Sequence, residues 1–274
     1  MFTTKRSLVA LLSAIGLIGF ASNSFAASAG TDNASLAAYS PNWVNASNGE
    51  ATGDAFLPWS LASVSGSGSA GFFTGDSTQL NSGSGGNINV SGDSWGMFAN
   101  GDPTAIATAQ RFFTSNGTTI SALSVGQTFS ISIAVNFTDN NRGFNLLDSG
   151  SNTLFDLNIG SNFYSVNSNN LPNQTYSANT VFALTFTQTS LTSGTWTLAR
   201  TGGQTDSAGG TYNGDAAGLK LYIQDTSEGG GPEDLFANSL AVTAVPEAST
   251  VGLVACGTGV LFLLSKRRRL GRSS

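Results

Sequence analysis

The sequence predicts an all-β body, an antiparallel two-sheet sandwich of jelly-roll or concanavalin-like type. An N-terminal signal-peptide helix and one C-terminal transmembrane helix flank it. Three observations predict the body. Apolar residues recur with period two in many short segments, as on half-buried strands. Clusters of Gly, Asn, Asp and Ser separate those segments, which suits tight turns. No segment of the body carries an apolar stripe with a period near 3.6, so helices are not expected there.

The N-terminus comes first. Lys5 and Arg6 form a basic start, Leu8 to Phe20 is apolar, and Ser24-Phe25-Ala26 offers small residues for cleavage. Residues 1–26 therefore read as a secretory signal, with the Sec translocon and signal peptidase as partners. Ala27-Ser28-Ala29 is a second possible cleavage site.

Residues 27–244 form the predicted sandwich. The clearest strand is Phe129 to Phe137, where large apolar side chains alternate with small or polar ones. The same alternation appears at Phe155, Leu157 and Ile159, at Phe182, Leu184 and Phe186, at Trp196 and Leu198, and at Leu219, Leu221 and Ile223. Weaker strands are expected at Ile88 to Val90, Trp95 to Ala99, Phe112-Phe113, Phe144 to Leu146 and Leu235 to Val242. Asn-Gly pairs at 48–49, 100–101, 116–117 and 213–214 suit turns. Ser63 to Gly86 is poor in large apolar residues, so long loops or short edge strands are expected.

The C-terminus follows. Ala248 to Ser265 is a charge-free run, and a helix of that length covers about 27 Å, enough for a bilayer core. Lys266, Arg267, Arg268 and Arg269 come next and stay on the cytoplasmic side. The acidic body then lies across the membrane, the topology that a signal peptide also demands. Just before the helix stands Val245-Pro246-Glu247-Ala248-Ser249-Thr250. A Pro-Glu motif, an apolar helix and a terminal basic tail (residues 266–274), in this order, resemble the PEP-CTERM sorting signal, whose usual form is V-P-E-P-S-T. Here Ala248 replaces the second Pro. The resemblance covers residues 245–274. It implies an exported protein of a biofilm-forming Gram-negative bacterium, recognised by a membrane-embedded exosortase that cuts near the Pro-Glu. It also implies membrane anchoring before processing, then release to the cell surface or outside the cell, and association with exopolysaccharide. Pro246 keeps the cut site extended and accessible.

Composition excludes several functions. The 274 residues include no His and one Cys, Cys256, inside the apolar run. Ser-His-Asp and Cys-His chemistry and His-ligated metals are thus absent. A net charge of −5 argues against nucleic acid as a partner. Of the 11 basic residues only Arg111, Arg142, Arg200 and Lys220 lie in the body, while all 16 acids fall between Asp32 and Glu247. Gly66 to Gly71 matches G-x-G-x-x-G but lacks a following helix, so no nucleotide site is read there. Leu171-Pro172-Asn173-Gln174-Thr175 departs from the cell-wall sortase signal in its last two residues.

The remaining candidates are few. Asp225, Glu228, Glu233 and Asp234 lie within ten residues on a Gly-rich stretch and offer oxygen ligands for Ca²⁺. No other cofactor is expected. Trp43 and Trp59 are candidate platforms for stacking sugar rings. Glu50 and Glu228 are the carboxylates to test for glycan hydrolysis or elimination, although no motif pairs two acids at catalytic spacing. The expected function is a non-enzymatic surface or matrix protein with no catalytic residue. The alternatives are a lectin-like carbohydrate-binding module and a glycan hydrolase or lyase on a concanavalin-like sandwich.

Overall fold

A computed structural model describes residues 27–78, 86–135, 141–160, 163–171, 177, 179–203, 205–225 and 234–243. The signal peptide, the sorting motif, the apolar run and the basic tail lie outside the described residues. Among the described residues no helix is long and apolar enough to cross a membrane.

Fifteen strands are described. They are β1 (Gly30–Asp32), β2 (Ser60–Val64), β3 (Ser69–Gly75), β4 (Ser94–Asn100), β5 (Ile106–Phe112), β6 (Thr128–Val135), β7 (Asn141–Leu147) and β8 (Thr153–Gly160). There follow β9 (Phe163–Val166), β10 (Asn169–Asn170), β11 (Val181–Ser190), β12 (Ser193–Thr201), β13 (Asp206–Asn213), β14 (Gly218–Gln224) and β15 (Leu235–Val242). One sheet has the order β13-β12-β11-β6-β15-β4-β3, with β1 added on β15. The other has the order β10-β9-β8-β7-β14-β5-β2. Neighbouring strands are antiparallel, and the two sheets make the expected sandwich.

The period-two segments bury their apolar residues between the sheets. Phe129 and Phe186 project from the eight-stranded sheet, Phe144 and Phe155 from the seven-stranded one. Their rings meet in the middle: Phe144 lies 5.5 Å from Phe186, and Phe155 lies 4.9 Å from Phe186. Such contacts add about 0.5–1.5 kcal/mol each beyond the area buried. Asn-Gly turns form at Gly101, Gly117 and Gly214, which adopt φ of 76°, 73° and 128°. Gly49 is needed for another reason, since a Cβ there would meet the Tyr39 ring at 2.6 Å.

One local expectation changes. Ile88 to Val90 forms no strand; Val90 pairs with Asp93 across a tight turn, and Ile88 packs on Ala134 and Phe236. The Ser/Gly-rich stretch supplies the edge strands β2 and β3. Gly66 to Gly68 form the turn into β3, which already includes Ser69 to Gly71, and the Ser67 N–H donates to the Asp102 carboxylate at 2.8 Å.

The outer faces of the two sheets differ. On the eight-stranded sheet, Ile88, Ala134 and Phe236 form a small apolar cluster with Phe73 and Val181 against it. Asn238 ties this covering segment down by donating to the carbonyls of Ile88 (3.0 Å) and Asp93 (2.7 Å). The seven-stranded sheet instead presents a polar outer face.

Candidate functional site

Trp43 and Trp59 are not sugar platforms. They are 2% and 1% exposed, which corrects that expectation. Trp43 meets Trp59 edge-on at 5.0 Å, and Trp59 meets Trp95 at 5.4 Å. The segments around them are irregular, but β2, β3 and β4 close over the rings. Glu50 is also placed structurally: its Oε1 accepts the backbone N–H groups of Ala55 and Phe56. Burial raises its pKa above the usual carboxylate range.

The acidic cluster is only partly described, since Glu228 and Glu233 lie outside the described residues. Asp225 follows β14 and donates its N–H to the Ala105 carbonyl, while Asp234, just before β15, is buried. Among the described residues no three acidic or Cys side chains gather into a metal-binding group.

The chemistry collects on the outer face of the seven-stranded sheet. Its strands carry one carboxylate, Asp156, and one lysine, Lys220. Strand register puts both in one row, because Lys220 pairs with Asn145 and Asn145 with Asp156. Two strand spacings separate them, roughly 10 Å. The next row is Tyr222, Gly143 and Asn158. Alternation explains the arrangement. Leu219, Leu221 and Ile223 point to the core, so Lys220 and Tyr222 point out. Phe155, Leu157 and Ile159 do the same for Asp156 and Asn158.

These side chains are linked. Asn145 Nδ2 donates to Asp156 Oδ1 at 2.7 Å, and the Tyr222 hydroxyl donates to the same oxygen at 3.1 Å. Asn158 Nδ2 donates to the Tyr222 oxygen at 3.0 Å. Asn167 Oδ1 accepts the Asp156 backbone N–H at 2.9 Å, fixing that strand residue. Gly143 makes the crossing of Tyr222 possible, since a Cβ there would lie 2.8 Å from the tyrosine oxygen and 1.9 Å from the Leu157 carbonyl.

Electrostatics tune the pair. Burial raises the Asp156 pKa, and the Tyr222 and Asn145 hydrogen bonds and the Lys220 charge partly oppose it. Burial, with the nearby Asp156 charge, pushes the Tyr222 hydroxyl well above its usual value. Lys220 forms no ion pair among the described residues, and Asp156 Oδ2 accepts no hydrogen bond there. A half-buried carboxylate, a hydroxyl that donates to it and a cation nearby can move a proton and hold an anion.

Sequence reasoning missed this site, because Asp156 and Tyr222 stand 66 residues apart and meet only through β7. The polar positions were visible as the wet half of two alternating segments, but not their register.

Fold and cluster together define an antiparallel β-sandwich with a polar, titratable patch on one sheet face. No protein-family model matches the chain, and no curated protein matches it. Two of the similar solved structures illustrate the likeness. One is an alginate lyase of polysaccharide lyase family 7, at 13% identity and a TM-score of 0.34, covering 63% of this chain and 93% of that one. The other is a protein of unknown function from Shewanella oneidensis MR-1, at 11% identity and a TM-score of 0.37, covering 90% of this chain and all of that one. The alginate lyase among these similar structures corrects the expectation of a non-enzymatic chain.

Proposed function

We propose that the chain is an exported, glycan-active protein whose site is the outer face of the seven-stranded sheet, and that it cleaves an acidic polysaccharide by elimination. The observation that carries this reading is the row Lys220–Asn145–Asp156 with the Tyr222 hydroxyl donating to Asp156. Hydrolysis is less well served, since it needs two carboxylates about 5–10 Å apart and the described strands of this sheet carry only Asp156.

The steps balance without water. Lys220 neutralises the uronate carboxylate, which acidifies the neighbouring C–H. Asp156, made more basic by burial, takes that proton. The electron pair becomes a carbon–carbon double bond, and the glycosidic oxygen on the next carbon leaves. Tyr222 gives its proton to that oxygen. The proton on Asp156 then returns to the tyrosinate through their hydrogen bond. Asn145 and Asn158 hold the two partners in register.

Export and sorting belong to the same reading. Residues 1–26 are removed, exosortase cuts near Pro246, and the body reaches the cell surface or the extracellular matrix. The finer fold assignment, jelly-roll or concanavalin-like, is part of it too.

The test incubates the purified chain with polyuronates and with neutral polysaccharides. Growth of ultraviolet absorbance from the new double bond, with polyuronates only and lost in Asp156→Asn and Tyr222→Phe, is the expected result. Saturable binding without cleavage would remove the catalytic half of the reading; neither binding nor cleavage would end it. Intact-mass measurement of the surface fraction checks the processing, with residues beyond about Pro246 expected to be missing.

A further inference from the structure

Both ends of the described body leave from one pole of the sandwich. The Ala27 N–H donates to the Ala122 carbonyl at 3.2 Å, and the Thr243 N–H donates to the Thr128 carbonyl at 2.9 Å. The buried side chain of Gln127 joins the two ends: its Nε2 donates to the Ala27 carbonyl at 2.7 Å and to the Thr243 carbonyl at 3.3 Å. Among the described residues, three of the five exposed large apolar ones sit at this same pole: Leu191 (71% exposed), Val125 (46%) and Ile120 (40%). Leu191 lies in the turn between β11 and β12. Val125 adjoins that strand end, where the Gly126 N–H donates to the Gln188 carbonyl at 2.7 Å. Ile120 is in the loop that ends at Ala122.

We infer that this pole is a membrane-docking surface and that its partner is the outer leaflet of the lipid bilayer from which the tail emerges. The inference rests on the proposed tail anchor. Four residues, Ala244 to Glu247, separate Thr243 from the apolar run. Fully extended they span roughly 14 Å, so the pole cannot stand far from the headgroups. Asp215 lies beside Ile120 and Ala122 at this pole, and Asp148 follows Leu147, whose carbonyl accepts the Ala217 N–H there; no Lys or Arg joins them among the described lining residues. The contact is therefore apolar rather than electrostatic attraction, and added salt should not weaken it. The polar sheet face lies along the side of the sandwich. Asn158, Tyr222 and Gln224 run toward the opposite end, so a polysaccharide can reach the site while the chain is still anchored.

The test uses the full chain in vesicles of phosphatidylethanolamine and phosphatidylglycerol. A Cys256→Ser background receives single labelling sites, Leu191→Cys or Val125→Cys, with Val64→Cys at the opposite end as control. Labels at 125 and 191 should be quenched by lipid-borne quenchers several-fold more strongly than the label at 64, at low and high salt alike. Equal quenching at all three positions in vesicle-bound protein would overturn the docking surface and leave the tail anchor standing. Protein that fails to float with the vesicles after an alkaline wash would overturn the anchor and the docking surface together.

Discussion

The seven-stranded sheet carries an ionic cluster on each face, and the two are built in opposite ways. On the inner face, Arg111 of β5 is 1% exposed and forms a salt bridge with Asp32. It also donates to Asn48, to the Tyr39 hydroxyl and, at 2.7 Å, to the Leu57 carbonyl. Its guanidinium lies over Phe56 at 4.8 Å and Trp59 at 5.2 Å. Water has no access and the partners are engaged. On the outer face, Asp156 and Lys220 stand in one row, half-buried, with carboxylate and ammonium capacity left for a ligand. A saturated cluster fixes the positions of chain segments, here the N-terminal stretch against β5. An open one offers proton transfer and anion binding. Charge alone does not separate the two roles; the state of the partners does.

The largest effects should come from breaking the closed cluster and its aromatic lid. Arg111→Met strands the Asp32 carboxylate in the core and should destabilise by about 3–5 kcal/mol. Trp43→Ala should cost a similar amount, about 3–5 kcal/mol, read by chemical denaturation. The folded fraction of either variant should keep its glycan affinity. Loss of affinity in folded Trp43→Ala would restore that tryptophan as a sugar contact and weaken the contrast between the faces.

The open cluster should respond the other way. Asp156→Asn and Tyr222→Phe should lower turnover by about 10²–10⁴-fold, while shifting stability by less than about 1 kcal/mol. A large loss of stability with little loss of turnover would make the outer cluster structural as well. Gly143→Ala should fall between the two classes. Its Cβ displaces Tyr222 and the Leu157 carbonyl, so turnover should drop by roughly 10²-fold with a stability cost of about 1–3 kcal/mol.

Legibility in the sequence follows the same divide. Strands β6, β8, β11, β12 and β14 announce themselves because bulky apolar residues alternate with small polar ones. Strand β5 does not, since its inward positions are Ala107, Ala109 and Arg111, two small residues and a charge. Strand β13 is a polar edge, and its sequence DSAGGTYN reads as a turn. Trp43 and Trp59 show that residue type does not tell core from platform; what buries them is strands distant in sequence. The site was hidden for the same reason. Lys220, Asn145 and Asp156 form a row only after β7 inserts between β14 and β8. A one-residue slip of register would turn each of them to the opposite face.

The smallest expected effect tests the coupling within the outer cluster. Burial holds the Asp156 pKa above its unfolded value, so the folded state binds this proton more tightly than the unfolded chain does. The stability this group contributes is full below the unfolded pKa, about 4, and is lost as pH rises through the higher folded value. Asp156→Asn removes that titration, so the wild type should lose stability relative to the variant between acid and neutral pH. The Tyr222 hydrogen bond opposes the upward shift by favouring the charged carboxylate. In Tyr222→Phe the Asp156 titration, followed by carbon NMR of its carboxyl, should therefore move to higher pH. Lys220→Met should move it in the same direction by less, since the ammonium acts across two strands. A midpoint that falls or stays fixed in Tyr222→Phe would mean that the hydroxyl does not donate to the ionised carboxylate. The proton return from Asp156 to Tyr222 would then have no path.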